Sequence, residues 1–282
     1  MTESPIAAAP SPPVAVDASS SPLWRRQLSG VWRMEVKKNL LSLRIVPTLL
    51  LAALPVGLVT LLAVLHIFFG EGNEGSGAAV NVYSYIYRFY FLKVAIFFGT
   101  LTVFLHLFRS DLLERSLHYY MLCPIPRHLL VLGKYLAGLL ATSVLLVSAT
   151  AVTFLVVFGV FGEGLPLGDL LAYCGVTLMG CLGYGALFML SGLYFRSPVV
   201  PPLALYLWEV LIAFLPPVLK RFSVIHYLIS LLPVNPVTGV FEVLSEPTPT
   251  YFAIPGLLIL AAAALALAVL KAKKLEVTYS DD

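Results

Sequence analysis

Four long apolar stretches of this 282-residue chain, each of 19 to 27 residues, contain no formally charged side chain: Ile45–Phe69, Tyr135–Phe161, Leu170–Phe195 and Phe252–Leu270. Crossing the roughly 30 Å apolar core of a bilayer takes about 20 residues of helix. Inside that core every backbone N–H and C=O must be satisfied within the segment, which leaves the α-helix as the form such a run can take. Two further stretches carry a single charge each: Phe89–Phe108 with Lys93 near its first turn, and Ser197–Val218 with Glu209. The six together make up about half the chain, and no sizeable soluble domain fits between them. Only 12% of residues are charged, against about 25% in soluble domains. The expectation is an all-α polytopic membrane protein with six transmembrane helices.

The flanking segments differ in composition. Residues 1–23 are rich in Pro, Ala and Ser and lack both the basic start and the apolar core of a signal peptide, which predicts a disordered, retained tail. Residues 24–44 interleave Arg25, Arg26, Arg33, Lys37, Lys38 and Arg44 with Trp24, Leu28, Trp32 and Leu40. That mixture predicts an amphipathic helix in the headgroup region, its basic groups toward anionic lipid, although a solvated basic linker has a similar composition. Residues 45–270 form the membrane domain and 271–282 a short tail.

Basic residues orient the chain. With the N-terminus inside, 14 of the 18 Lys and Arg fall on inner segments. This bias predicts that both termini are cytoplasmic in a cell membrane. The net charge of +3 is spread too thinly to mark a nucleic-acid surface. Three cysteines without CxxC spacing argue against a disulfide scaffold or a structural zinc site, and His66 and His106 have no second His or Cys at ligand spacing.

Two connections depart from simple loops. On the inner side, Arg109–Lys134 places Asp111 and Glu114 at capping-box spacing. Leu113, Leu117, Tyr120 and Met121 then share one helical face, and Glu114, Arg115 and His118 another. Pro124 and Pro126 end that helix. On the outer side, Phe222–Leu232 is apolar but too short to span, and Asn235-Pro236 reads as the start of a second short helix running to about Leu244. The expectation there is a re-entrant helical hairpin between spans 5 and 6.

In their order and placement, Glu114-Arg115-Ser116-Leu117, Pro124-Ile125-Pro126-Arg127 and Gly133-Lys134 resemble the permease subunits of ABC-2 type transporters. The plan over residues 24–274 is similar as well, including a Pro-x-Asn-Pro-like turn at Pro233-Val234-Asn235-Pro236. One departure is the Arg115-Ser116 pair, where many relatives have Gly-Thr. The resemblance implies the membrane half of an ATP-driven transporter, usually an exporter, that acts as a dimer with a second permease copy or paralogue. It also implies that the helix between spans 2 and 3 is a coupling helix. Glu114, Arg115, Leu117, His118, Pro124 and Arg127 would then meet a separate ATP-binding subunit, which would hold ATP and magnesium. The chain itself lacks a GxxxxGK[ST] phosphate loop and carries no cofactor motif.

Among single residues, Glu209 stands out, because a carboxylate within a span is expensive and marks function by default. It would line a substrate path, pair with a basic group or titrate; the competing reading is a neutral, hydrogen-bonded core residue. Lys93 reads as an interface anchor that snorkels outward. Tyr83, Tyr85, Tyr87 and Tyr90 around Arg88 read as an aromatic belt at the outer interface. Cys181, Gly185 and Gly192 share a small-residue face suited to close helix packing. An ion-coupled carrier using Glu209 is the alternative function. A membrane-embedded enzyme is weaker, for no HExxH pair, GxSxG elbow or facing pair of intramembrane Asp residues is present.

Overall fold

In the computed structural model, the described residues are 30, 32, 45–69, 81, 83–113, 127–161, 166–195, 200–211, 216–233 and 249–273. Among them the structure is almost entirely helical, with no strand. The principal elements are α1 (Val46–Phe69), a π-helical segment (Tyr87–Ala95) that runs directly into α2 (Ile96–Leu113), α3 (Arg127–Phe161) and α4 (Leu167–Tyr194). The short helices α5 (Val200–Leu211), α6 (Pro217–Lys220) and α7 (Val224–Ser230) follow, and α8 (Thr250–Lys273) closes the series. Among the described residues, five stretches are long and apolar enough to cross a membrane: Val46–Phe68, Tyr83–Leu105, His128–Val160, Leu167–Tyr194 and Thr250–Ala272. The chain therefore has the character of a multi-pass membrane protein.

The run from Ser197 to Val218 is not one continuous helix. Pro216 adopts an extended conformation, with ψ at 155°, ahead of α6. Its neighbour Pro217 is the cause, since the ring of a proline clashes with a preceding residue in the α region. α5 starts well, with Pro201 and Pro202 in its first turn, but its 12 residues cover only about 18 Å.

Helix α4 is the centre of the bundle, packed against α8, α2 and α3, while α1 lies on α3 and α2. Its sequence explains the position. A Cβ at Gly185 would sit 2.7 Å from the Phe104 ring of α2, and one at Gly180 would sit 2.8 Å from Ile96. Glycine at both positions lets the two helices approach closely. Of the small-residue face predicted on this helix, Cys181 and Gly185 are inside the subunit, whereas nothing lies within 4 Å of a Cβ at Gly192.

Polar side chains join the other helices. The Thr48 hydroxyl of α1 donates to the Gly99 carbonyl at 3.2 Å and lies 2.6 Å from the Thr102 hydroxyl. Tyr90 donates to the Leu51 carbonyl at 3.0 Å, and Tyr135 to the Leu182 carbonyl at 2.9 Å. In an apolar surrounding such bonds act as glue between helices, because lipid offers the same groups no partner.

The aromatic-belt reading of residues 83–90 is corrected. Tyr83 and Tyr87 are fully buried. The Tyr87 hydroxyl donates to the Tyr173 carbonyl at 2.9 Å and lies 2.8 Å from the Thr177 hydroxyl. Tyr83 reaches the Thr150 carbonyl, and Ser84 sits 3.1 Å from the Tyr173 hydroxyl. Tyr83 and Tyr173 also meet edge to face at 5.0 Å. Of the four tyrosines only Tyr85 is exposed, stacked on Phe89. The helix enters the bundle earlier than hydropathy indicated, because hydroxyl groups that lower the hydropathy of this stretch are satisfied inside.

Candidate functional site

The carboxylate singled out in the sequence sits at the best-defined polar site among the described residues. Glu209, on the last turn of α5, is 5% exposed. Three groups donate to it: the Ser223 hydroxyl to Oε2, the Val224 backbone N–H to Oε1 at 3.1 Å, and the Ile225 backbone N–H to Oε2 at 3.3 Å. The Tyr184 side chain of α4 lines the cleft beside the same carboxylate.

The local sequence accounts for this arrangement. A helix leaves its first backbone N–H groups without intrahelical partners. Ser223 is the N-cap of α7, extended at φ −107° and ψ 133°, and its hydroxyl oxygen accepts from the His226 N–H. Glu209 takes up the Val224 and Ile225 N–H groups that Ser223 does not reach. All three donors at the head of α7 are thus matched, two of them by a residue 15 and 16 positions earlier in the chain. A carboxylate at a helix N-terminus also gains from the peptide dipoles aimed at it.

Around the carboxylate, Lys93, Phe97, Tyr184, Tyr206, Val210 and Ile225 line a narrow cleft. Its free space is enough for about one water molecule. Lys93 lies in the π-helical segment with its ammonium 4.9 Å from the centre of the Phe89 ring, a cation–π distance. The site therefore joins the π-helical segment, α2, α4, α5 and α7.

The second predicted cluster is described only at its edges. Glu114, Arg115, Leu117, His118 and Pro124 lie outside the described residues, as do the helix starting at Asn235 and most of the 24–44 segment. Arg127 is the first residue of α3. The capping-box reading at Asp111 is corrected: α2 runs without a break through Asp111 to Leu113, so no new helix begins there. The span beginning at Tyr135 is likewise longer than expected, since α3 starts eight residues earlier.

Lys134 is a site residue whose role the sequence did not disclose. It is 1% exposed, and its Nζ donates to the Leu107 carbonyl of α2 at 3.3 Å. A Cβ at Gly138, one turn along α3, would lie 2.6 Å from the Leu107 side chain. Here the two helices that bracket residues 114–126 are fastened together. The signal available in sequence was a lone Lys followed by 28 uncharged residues, which reads equally well as a membrane-edge anchor. Ser223 was missed for a similar reason, since a serine heading the short run VIHYLIS carries little hydropathy signal.

No protein-family model matches the chain, and neither does any curated protein.

Proposed function

We propose that the chain is the permease subunit of an ATP-driven ABC-2 type transporter, an exporter that forms its pathway as a dimer. The partners are a second permease copy or paralogue and a separate ATP-binding subunit on which ATP and magnesium act. Residues 24–44 lie along the lipid surface, six spans cross the cell membrane with both termini cytoplasmic, and α7 belongs to a re-entrant hairpin before the last span. In this layout α5 contributes to the fifth span, interrupted at Pro216.

One observation carries the reading. The ends of α2 and α3 extend beyond what the membrane requires and are joined by Lys134 at the base of residues 114–126. At 35 residues, α3 is about 52 Å long against an apolar core of about 30 Å. A hairpin of two tied helices passes a displacement of the short connecting segment into the bundle as a rigid movement. That is what a coupling helix bearing Glu114, Arg115, Leu117 and His118, followed by the Pro124–Arg127 turn, would need. ATP binding on the partner draws the two coupling helices of a dimer together and reorients the pathway.

The carrier reading has less support. A site that binds and releases a coupling ion needs an acceptor free to change partners, whereas both oxygens of Glu209 accept from the chain's own Ser223, Val224 and Ile225.

The test is Glu114→Ala and Leu117→Asp in reconstituted transporter. Both are expected to insert normally and to lower transport-coupled ATP hydrolysis. Unchanged coupling in both variants would sink the assignment.

A further inference from the structure

α7 is held by a contact that its own length requires. Isolated helices shorter than about 12–15 residues are marginal, and α7 has seven. Its place in the bundle depends on what surrounds it. Val224, Ile225, Tyr227 and Leu228 are buried against α4, α8 and the π-helical segment. Those apolar contacts are not specific about the position of its first turn. The donors at its head are: Val224 and Ile225 each donate a backbone N–H to Glu209, and the Ser223 hydroxyl bonds the same carboxylate.

We infer that Glu209 is a clasp, a positioning residue that keeps α7 seated in the bundle by bridging α5 to the head of α7, and that opening it frees α7 while the rest of the bundle stays folded. The inference does not rest on the transporter reading, and it assigns Glu209 neither to a substrate path nor to proton transfer. Its physical basis is the asymmetry of buried hydrogen bonds. With the acceptor gone, two backbone N–H groups and a hydroxyl are left in a dry environment, and they regain partners only by moving to water. The tightly packed α2–α4 and α4–α8 contacts involve none of these groups.

The experiment is thiol protection in native membrane vesicles with N-ethylmaleimide, modification being read at each position by mass spectrometry. A Leu228→Cys probe reports α7, and a Leu146→Cys probe reports the buried interior of α3; both leucines are fully buried. Glu209→Ala is expected to raise modification of the Leu228→Cys probe by roughly tenfold or more, the scale of losing hydrogen bonds to a carboxylate. Glu209→Gln keeps one acceptor and is expected to fall between. Ser223→Ala raises modification less than Glu209→Ala. The double variant does not exceed Glu209→Ala alone, because both changes open one contact. The Leu146→Cys probe stays protected throughout. Unchanged modification at position 228 in Glu209→Ala and Ser223→Ala overturns the clasp. So does an equal rise at position 146, which would make Glu209 a support of the whole bundle.

Discussion

At the residue scale, hydroxyl groups decide more of this structure than charges do. The Tyr87 hydroxyl donates to the Tyr173 carbonyl and bonds the Thr177 hydroxyl, and Thr177 in turn lies 3.1 Å from Thr150. Three helical segments meet in that chain of bonds. Tyr87→Phe removes the hydroxyl and leaves its partners in an apolar surrounding, so a loss of about 1–2 kcal/mol is expected. Unfolding in detergent, followed by intrinsic fluorescence, measures it; an unchanged midpoint would mean that the partners re-pair among themselves. The sequence placed these tyrosines at a membrane interface because a tyrosine beside an arginine has the same appearance in both settings. What separates the two is whether Tyr173 and Thr177 face them, and a linear reading does not hold that information.

Helices show the same division between what pattern reveals and what contact decides. Runs of uncharged residues located α1, α3, α4 and α8, for bilayer thickness imposes a length that composition records directly. The fifth run differs, because Pro216-Pro217 interrupts a stretch whose hydropathy is continuous. The seating of α7 depends on glycines in its neighbours: a Cβ at Gly256 of α8 would lie 2.8 Å from the Tyr227 ring, and one at Gly183 of α4 3.2 Å from Val224. Gly256→Leu is expected to cost about 1–3 kcal/mol through overpacking and to raise modification of the Leu228→Cys probe. If neither changes, Tyr227 has another place to go. Lys134 tests the joint between α2 and α3. Lys134→Met keeps the stem and removes the donor, and replacing a desolvated charge by an apolar group of similar volume is often neutral for stability. The expected outcome is a normal melting midpoint with reduced coupling of ATP hydrolysis to transport. A normal midpoint together with full coupling would show that the joint is not used.

At the scale of the whole molecule, the bundle centred on α4 carries two regions to which a role is assigned by inference. One is the clasp at Glu209, read from the structure in detail; the other is the segment between α2 and α3, read from its motif order and from the tied helices at its base. The carboxylate was visible in sequence as an acid out of place. Its partners were not, since a backbone N–H has no letter. For the proposed coupling segment the reverse holds: the letters carry the resemblance, and the helices on either side would supply the lever. The central claim is that this chain works with a separate ATPase, and purification of the full chain from its native membrane tests it most directly. The predicted result is stoichiometric recovery of a subunit bearing a phosphate-binding loop, with ATP-dependent transport by the complex, and loss of that subunit in Leu117→Asp. Recovery of the chain without an ATPase, together with ion-driven transport by the purified chain alone, would contradict it.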